Sequence, residues 1–232
     1  MSKFYITTPL YYVNDKPHIG HAYTTILADV LARYHRIMGY DVHFLTGTDE
    51  HGQKVQEAAE KRNVEPKIHV DEYVKRFQEA WKRLHISYDD FIRTTELRHT
   101  SKVKDMLQIL WDKNLIYEKE YEGLYSISEE RFITKKEYDS GNFKEIIELK
   151  EKNYFFKMSN YQNQLINYIE SHDNFILPKS RKNEVLGFLK NPLEDLCISR
   201  PKKRLNWGIE LPFDSDYVTY VWFDALLNYI TA

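Results

Sequence analysis

Residues 5–21 read YITTPLYYVNDKPHIGH, and the fold follows from how that stretch is parsed. Phe4, Tyr5 and Ile6 predict a short apolar strand, Pro9 a turn, and Pro17-His18-Ile19-Gly20-His21 the opening of a helix. The first N–H groups of a helix have no intrahelical partner, and the macrodipole adds partial positive charge there, so the turn is suited to a phosphate. His18 and His21, three residues apart, project to the same side and can both donate to phosphate oxygens. Gly20 between them carries no side chain, so a ring or backbone can lie close. Two other readings compete: a capped surface helix whose histidines do nothing, and a metal pair. The sequence offers no third ligand cluster nearby, which weighs against metal.

Outward from this stretch, Ile26, Leu27, Val30, Leu31, Tyr34, Ile37 and Met38 recur at helical spacing and Gly39 stops the run, so a core-facing helix is expected. Residues 41–46 predict a second buried strand ending in Gly47-Thr48-Asp49-Glu50-His51-Gly52. Strand, helix and strand over some forty residues form a right-handed parallel βαβ unit, whose ligands collect at the carboxyl ends of the strands. Helices follow from about Gln53 to Asn63 and Pro66 to His85, the second striped with Val70, Tyr73, Val74, Phe77, Ala80, Trp81 and Leu84. Phe91-Ile92-Arg93 predicts a third strand, and Thr94 or Thr95 is positioned to cap a helix carrying Val103, Met106, Leu107, Leu110 and Trp111.

With 232 residues, 42% hydrophobic and 29% charged, the chain is long enough for one large or two small cores and falls among folded soluble proteins. No apolar run approaches membrane-spanning length, no membrane partner is expected, and the strand starting within a few residues of Met1 leaves no room for a secretory signal; a cytoplasmic location is expected. The single cysteine, Cys197, excludes an internal disulfide and a multi-cysteine zinc knuckle. Net charge is −2, so positive charge is local: residues 179–182 (Lys-Ser-Arg-Lys) and 200–204 (Arg-Pro-Lys-Lys-Arg) suit tRNA phosphates or a solvated surface equally well.

The HIGH turn resembles the signature of the class I aminoacyl-tRNA synthetases. Pro9-Leu10-Tyr11-Tyr12-Val13-Asn14, the Gly47–Gly52 turn and Tyr220-Val221-Trp222-Phe223-Asp224-Ala225 narrow the resemblance to the methionyl-tRNA synthetases, across almost the whole chain. The resemblance implies an α/β fold: a Rossmann-like doubly wound parallel sheet interrupted by a small mixed α+β connective-peptide insertion. Residues 1–114 would be the first half of the catalytic domain, 115–211 the insertion, and 212–232 the start of the second half, the chain stopping before the KMSKS loop and the anticodon-binding domain. Short strands at residues 115–118, 123–127 and 153–157 and a helix at 161–170 fit that insertion. Many members hold structural zinc there with paired cysteines; Ser126, Ser128 and Asn142 stand in that region instead, so no zinc is expected. Lys157-Met158-Ser159-Asn160 looks like the start of KMSKS but lies in the insertion, and is read as structural.

The activity implied is that of a methionine–tRNA ligase: ATP-dependent activation of L-methionine to methionyl-adenylate, with Mg²⁺ accompanying ATP, then transfer to tRNA(Met). In that role His18 and His21 would be catalytic, with His18, Gly20, His21 and His51 binding ATP. Asp49 would hold the substrate ammonium. Leu10, Tyr12, Trp222, Ala225 and Tyr229 would line a pocket suited to a polarizable thioether. Without the resemblance, Trp222 and Tyr229 read as core residues at helical spacing with Ala225, and Asp224 as either a cap or a ligand contact. The leucine, isoleucine and valine enzymes share HIGH but carry much longer editing insertions, and a cysteinyl enzyme would need zinc ligands in its pocket. A small H-x-G-H nucleotidyltransferase would lack the other motifs. The remaining alternative is a catalytically silent nucleotide- or tRNA-binding fragment; as an isolated piece the chain is expected to have little aminoacylation activity.

Overall fold

A computed structural model describes residues 2–128, 131–133, 135–143 and 145–232. The chain packs as two compact units, one of Met1–Gln108 with Arg200–Ala232 and one of Ile109–Ser199. The first unit opens with β1 (Lys3–Thr7), β2 (Tyr11–Tyr12), α1 (Ile19–Ile37) and β3 (Asp41–Asp49). Then come α2 (Gln53–Lys61), α3 (Pro66–Arg83), β4 (Asp90–Arg93) and α4 (Leu97–Asp112). β3 is the hub of a parallel sheet. β1 pairs with it from Lys3↔Asp41 to Thr7↔Leu45, β2 at Tyr11↔Thr48 and Tyr12↔Asp49, and β4 from Leu45↔Asp90 to Thr48↔Arg93. Residues 44–50 are buried throughout, as a central parallel strand requires. The β1–α1–β3 unit is the βαβ crossover read from the sequence, and the α/β class and parallel sheet stand as expected.

Gly47 is where β3 and β4 come closest. A Cβ on Gly47 would lie 2.0 Å from the carbonyl oxygen of Ile92, so no side chain fits there. The core beneath this sheet joins Tyr11, Val13, Val55, Val70, Val74, Phe77 and Trp81, Val55 coming from α2 and the last four from the apolar stripe of α3. Burying the Phe77 and Trp81 rings contributes about 2–3 kcal/mol each.

α1 corrects the sequence reading. Ile26, Leu27, Val30, Leu31, Tyr34, Ile37 and Met38, expected to face the core, are all exposed, from 40% at Leu31 to 83% at Ile37. The buried face is Thr25, Ala28, Asp29 and Ala32. These small residues also recur at i, i+3, i+4 and i+7, and they let the helix approach Phe44 closely. Asp29, half of whose role is polar, accepts from the backbone N–H of Ser87 at 2.7 Å and its hydroxyl at 2.6 Å. Choosing the bulkier of two helical stripes inverted the helix. The threonine assignment also changes: Thr94 Oγ1 accepts from the N–H of Glu50 at 2.9 Å and Thr95 Oγ1 donates to its carboxylate at 2.5 Å, so both serve the turn after β3 rather than the start of α4.

In the second unit, β5 (Ile116–Ser126), β6 (Arg131–Ile133), α5 (Lys135–Asp139) and β7 (Ile146–Phe156) precede a short 3₁₀ turn (Met158–Tyr161), α6 (Gln162–Ser171), α7 (Lys179–Phe188) and β8 (Leu196–Cys197). The strands form an antiparallel sheet in the order β6-β5-β7-β8. β5 and β7 pair without interruption from Ile116↔Phe156 to Ser126↔Ile146, so the two strand segments expected within 115–127 are one strand. Lys157 Nζ donates to the carbonyl of Asn114 at 2.8 Å and lies over the Tyr117 ring. Ser159 is tied to Asp195, whose carboxylate also accepts from the Tyr117 hydroxyl at 2.9 Å. The KMSN segment is thus built into the unit's own packing.

The chain returns to the first unit through β9 (Ser199–Pro201), β10 (Glu210–Leu211) and β11 (Asp214–Thr219), a sheet in the order β10-β11-β9, followed by α8 (Val221–Leu226) and α9 (Asn228–Thr231). Among the described residues no helix is long and apolar enough to cross a membrane.

Candidate active site

Two segments follow the carboxyl ends of neighbouring parallel strands, residues 8–21 after β1 and residues 50–52 after β3; Leu10, Tyr12, His18, Gly20 and His21 lie on the first, Asp49 and His51 at the second, and Trp222, Ala225 and Tyr229 on α8 and α9. At the first, His18 is the N-cap of α1, with φ −130° and ψ 175°. Its Nδ1 accepts from the N–H of Gly20 at 3.1 Å, while the N–H of His18 donates to Nδ1 of His21 at 3.2 Å. This is a capping box in which histidines do what a serine and a glutamate usually do. The rings stack with centroids 3.7 Å apart. A Cβ on Gly20 would sit 3.0 Å from the His18 ring, so the glycine makes room for that stacking.

The capping box has a chemical consequence. A ring nitrogen that accepts carries no proton, so each neutral imidazole holds its proton on Nε2. Both rings therefore present an N–H donor away from the backbone, at the positive end of the helix dipole. Burial, and secondarily the neighbouring His18, hold the His21 imidazole below its ordinary pKa, in keeping with a neutral donor.

Tyr11 supports the turn from beneath. It is 4% exposed, its ring centroid is 4.8 Å from that of His21, and its hydroxyl meets Thr25 Oγ1 at 2.7 Å. Sequence reading left Tyr11 out of the site; its alternation with Tyr12 along β2, one inward and one half-exposed, was the available signal.

At the second turn, Asp49 is buried opposite Tyr12, and its carbonyl accepts from the N–H of Val13. Tyr229 comes close: burial first, and then the charge of Asp49, push its phenol upward, against a hydrogen bond with Asn228 that lowers it. Leu10, Tyr12 and Tyr229 are half-buried and Ala225 is buried. Trp222 is 57% exposed, which removes the core-packing alternative for it.

Glu50 anchors the turn. Fully buried, it takes two hydrogen bonds from Arg93, at 2.7 and 2.9 Å, and one from Thr48 at 2.7 Å. Its carbonyl accepts from the indole N–H of Trp207 at 2.5 Å. His51 follows, 5% exposed, with Nδ1 2.7 Å from Asp224 Oδ2. The other oxygen of Asp224 lies 2.8 Å from Nε2 of His99. Burial alone would raise the Asp224 carboxyl; His51 and His99 outweigh it and hold it below the usual carboxylate range.

Among the described residues no group of three His, Cys, Asp or Glu side chains stands close enough to hold a metal ion. The two basic clusters are largely engaged within their own units. Arg200 is 2% exposed with its guanidinium 4.5 Å over the Tyr220 ring, so it is no surface contact for phosphate. Lys202 pairs with Glu210, Arg181 with Glu184 and Lys182 with Asp173.

The family model "tRNA synthetases class I (M)" matches residues 4–142 and 140–232. The methionine–tRNA ligase of Fusobacterium nucleatum is 50% identical across 99% of this chain and 36% of its own length. That of Clostridium tetani is 51% identical over the same shares. The solved Mycobacterium tuberculosis methionyl-tRNA synthetase in complex with methionyl-adenylate superposes with a TM-score of 0.93 at 38% identity, over 100% of this chain and 47% of that one. The chain thus spans about a third of the length of these curated relatives. With a family model matched from end to end and a structural counterpart of the same fold, this chain belongs to the class I (M) tRNA synthetases.

Proposed function

We propose that the protein carrying this chain is a methionine–tRNA ligase, and that these residues form the rim on which methionine and ATP meet. The observation that carries the reading is the histidine capping box: two Nε2–H donors at a helix N-terminus, one strand away from the buried carboxylate Asp49. The relatives named methionine–tRNA ligase and the adenylate-bound counterpart support the same choice of substrates.

The reaction is attack of the methionine carboxylate on the α-phosphorus of ATP, releasing pyrophosphate, followed by attack of the terminal ribose hydroxyl of tRNA(Met) on the carbonyl of the adenylate. Little covalent chemistry falls to the protein, so positioning and charge stabilisation dominate. His18 and His21 donate to phosphate oxygens, whose charge grows as the α-phosphorus becomes five-coordinate, while Gly20 lets the chain approach. Asp49 holds the α-ammonium. The main chain at Leu10 and the side chains of Tyr12, Trp222, Ala225 and Tyr229 surround the thioether, and His51 lies toward the nucleotide. Mg²⁺ enters with the ATP phosphates. Residues 115–211 would be a connective insertion that depends on the β5–β7 pairing rather than on zinc.

The test is amino-acid-dependent ATP–pyrophosphate exchange by the gene's full product, each standard amino acid offered separately. Exchange with methionine alone, lost in His21→Ala and Asp49→Ala, is the expected result. Exchange with a different amino acid overturns the pocket, and no exchange favours a nucleotide- or tRNA-binding role.

A further inference from the structure

The histidine at the second turn is wired in the opposite sense to the two at the first. His18 and His21 each use Nδ1 to accept from the backbone. His51 turns Nδ1 toward Asp224, a fully buried carboxylate with both oxygens facing imidazoles. An ionised carboxylate can only accept, so the hydrogens in both contacts come from the rings: Nδ1–H of His51 and Nε2–H of His99. His99 completes the set, its Nδ1 standing 2.8 Å from the Thr231 hydroxyl, which can donate to it. The Thr231 hydroxyl also lies 3.4 Å from the Asn228 carbonyl, and its one hydrogen serves one of the two contacts; both contacts to Asp224 are met by ring hydrogens in either case.

We propose that Asp224 is a positioning residue that fixes His51 as the Nδ1–H tautomer, so that His51 meets its ligand through Nε2 as a hydrogen-bond acceptor and recognises an O–H or N–H donor, not a phosphate. This rests on the reading of the site as a methionine-activating one, where the donors nearest the reacting groups are the two ribose hydroxyls of ATP and the α-ammonium of the amino acid. The same carboxylate ties the turn carrying Asp49 and His51 to α8, which carries Trp222 and Ala225, and to His99 of α4, which in turn meets Thr231 of α9, the helix of Tyr229. His51 and Asp224 are 173 residues apart in sequence and His99 and Asp224 are 125 apart. The three side chains form a buried pin between three segments of one unit, and Trp207, its ring 5.4 Å from that of His51, packs beside it. The site thereby divides its labour by tautomer, donors toward the phosphates and an acceptor toward the hydroxyl or ammonium.

The tautomer is read directly by nitrogen NMR of the chain labelled on histidine, at about pH 8, where imidazoles are neutral. His51 protonated on Nδ1 is expected. In Asp224→Ala it should revert toward the Nε2–H form that free imidazoles prefer in water, and in His99→Gln, which keeps a donor toward Asp224, it should not change. A proton on Nε2 in the unaltered chain overturns the proposal whether or not the Asp224 variant folds. The ligand is read by calorimetry with ATP, its 2′-deoxy and 3′-deoxy analogues, methionine, and 4-(methylthio)butanoate, which lacks the ammonium. Discrimination against one of these analogues should shrink in His51→Phe, about five- to ten-fold for a ribose hydroxyl, the value of one neutral hydrogen bond, and more than about ten-fold for the charged ammonium. Which analogue responds tells the ribose from the ammonium. Calorimetry is run on the gene's full product: discrimination unchanged in His51→Phe overturns the acceptor role, while failure of the unaltered full product to bind either ATP or methionine overturns the methionine-activating reading itself and leaves the NMR result to decide the tautomer.

Discussion

The backbone N–H of His18 donates to Nδ1 of His21 over 3.2 Å, and that bond decides which nitrogen of His21 is free to meet a ligand. The pair therefore has two separable jobs, closing the helix start and the proposed donation to phosphate.

Substitution of His18 separates the jobs. Asparagine is among the best N-caps, so His18→Asn should stay within about 0.5 kcal/mol of the parent, whereas His18→Ala should lose about 1 kcal/mol of unfolding free energy. Both should lower ATP–pyrophosphate exchange roughly a hundred-fold. Urea denaturation alongside exchange kinetics checks this; normal exchange in His18→Asn would show that the ring serves only as a cap.

The His21 ring predicts the sign of a pH dependence. Its folded pKa lies below the ordinary value of about 6.5, so the unfolded chain binds that proton first as pH falls. The contribution to stability is complete above about 6.5 and is lost as pH falls from there through the folded value. Denaturation midpoints across that range should decline less steeply in His21→Gln than in the parent. Equal slopes would remove His21 as the cause.

Glu50 and Arg93 form a bidentate pair inside the sheet, the carboxylate fully buried. Arg93 also pairs with the partly exposed Asp71 at 2.5 Å, so Glu50→Ala leaves it one carboxylate and should cost about 1–3 kcal/mol. Loss below about 1 kcal/mol by urea titration would mean that water reaches Arg93 when the carboxylate is gone.

Gly47→Ala places a methyl group 2.0 Å from the Ile92 carbonyl oxygen, with backbone rather than a flexible side chain on the other side. The two strands must part, and a loss of more than about 4 kcal/mol is expected. A chain that melts within a few degrees of the parent would refute the close approach.

Asp49→Asn keeps shape and removes charge beside Tyr229. The methionine KM should rise about a hundred-fold while ATP binding holds, because a charge-assisted contact to the ammonium is lost. The Tyr229 phenol, relieved of that charge, should titrate lower, which its ultraviolet absorbance reports.

Local chemistry was readable from the residues in order. The helix start at residues 17–21, the room made by Gly20, the crossover from β1 through α1 to β3 and the gathering of both turns on one rim depend on contacts within a few residues or on rules that parallel sheets obey generally; the capping box itself came only with the structure. The inward stripe of α3 was equally legible from Val70 to Trp81, where large residues leave one possible buried face, although Leu84, read as its last member, is exposed.

The tertiary structure alone decided the orientation of α1, where a stripe of small residues and a stripe of large ones fit the same period and only the closeness of Phe44 selects between them. It alone placed Thr94 and Thr95 on Glu50, buried Arg200 over Tyr220, and brought His51, His99 and Asp224 together. Periodicity names which side of an element is apolar, but a buried charge finds its partner through space. No spacing rule links positions 173 residues apart, so the tautomer of His51 is a property of the folded chain.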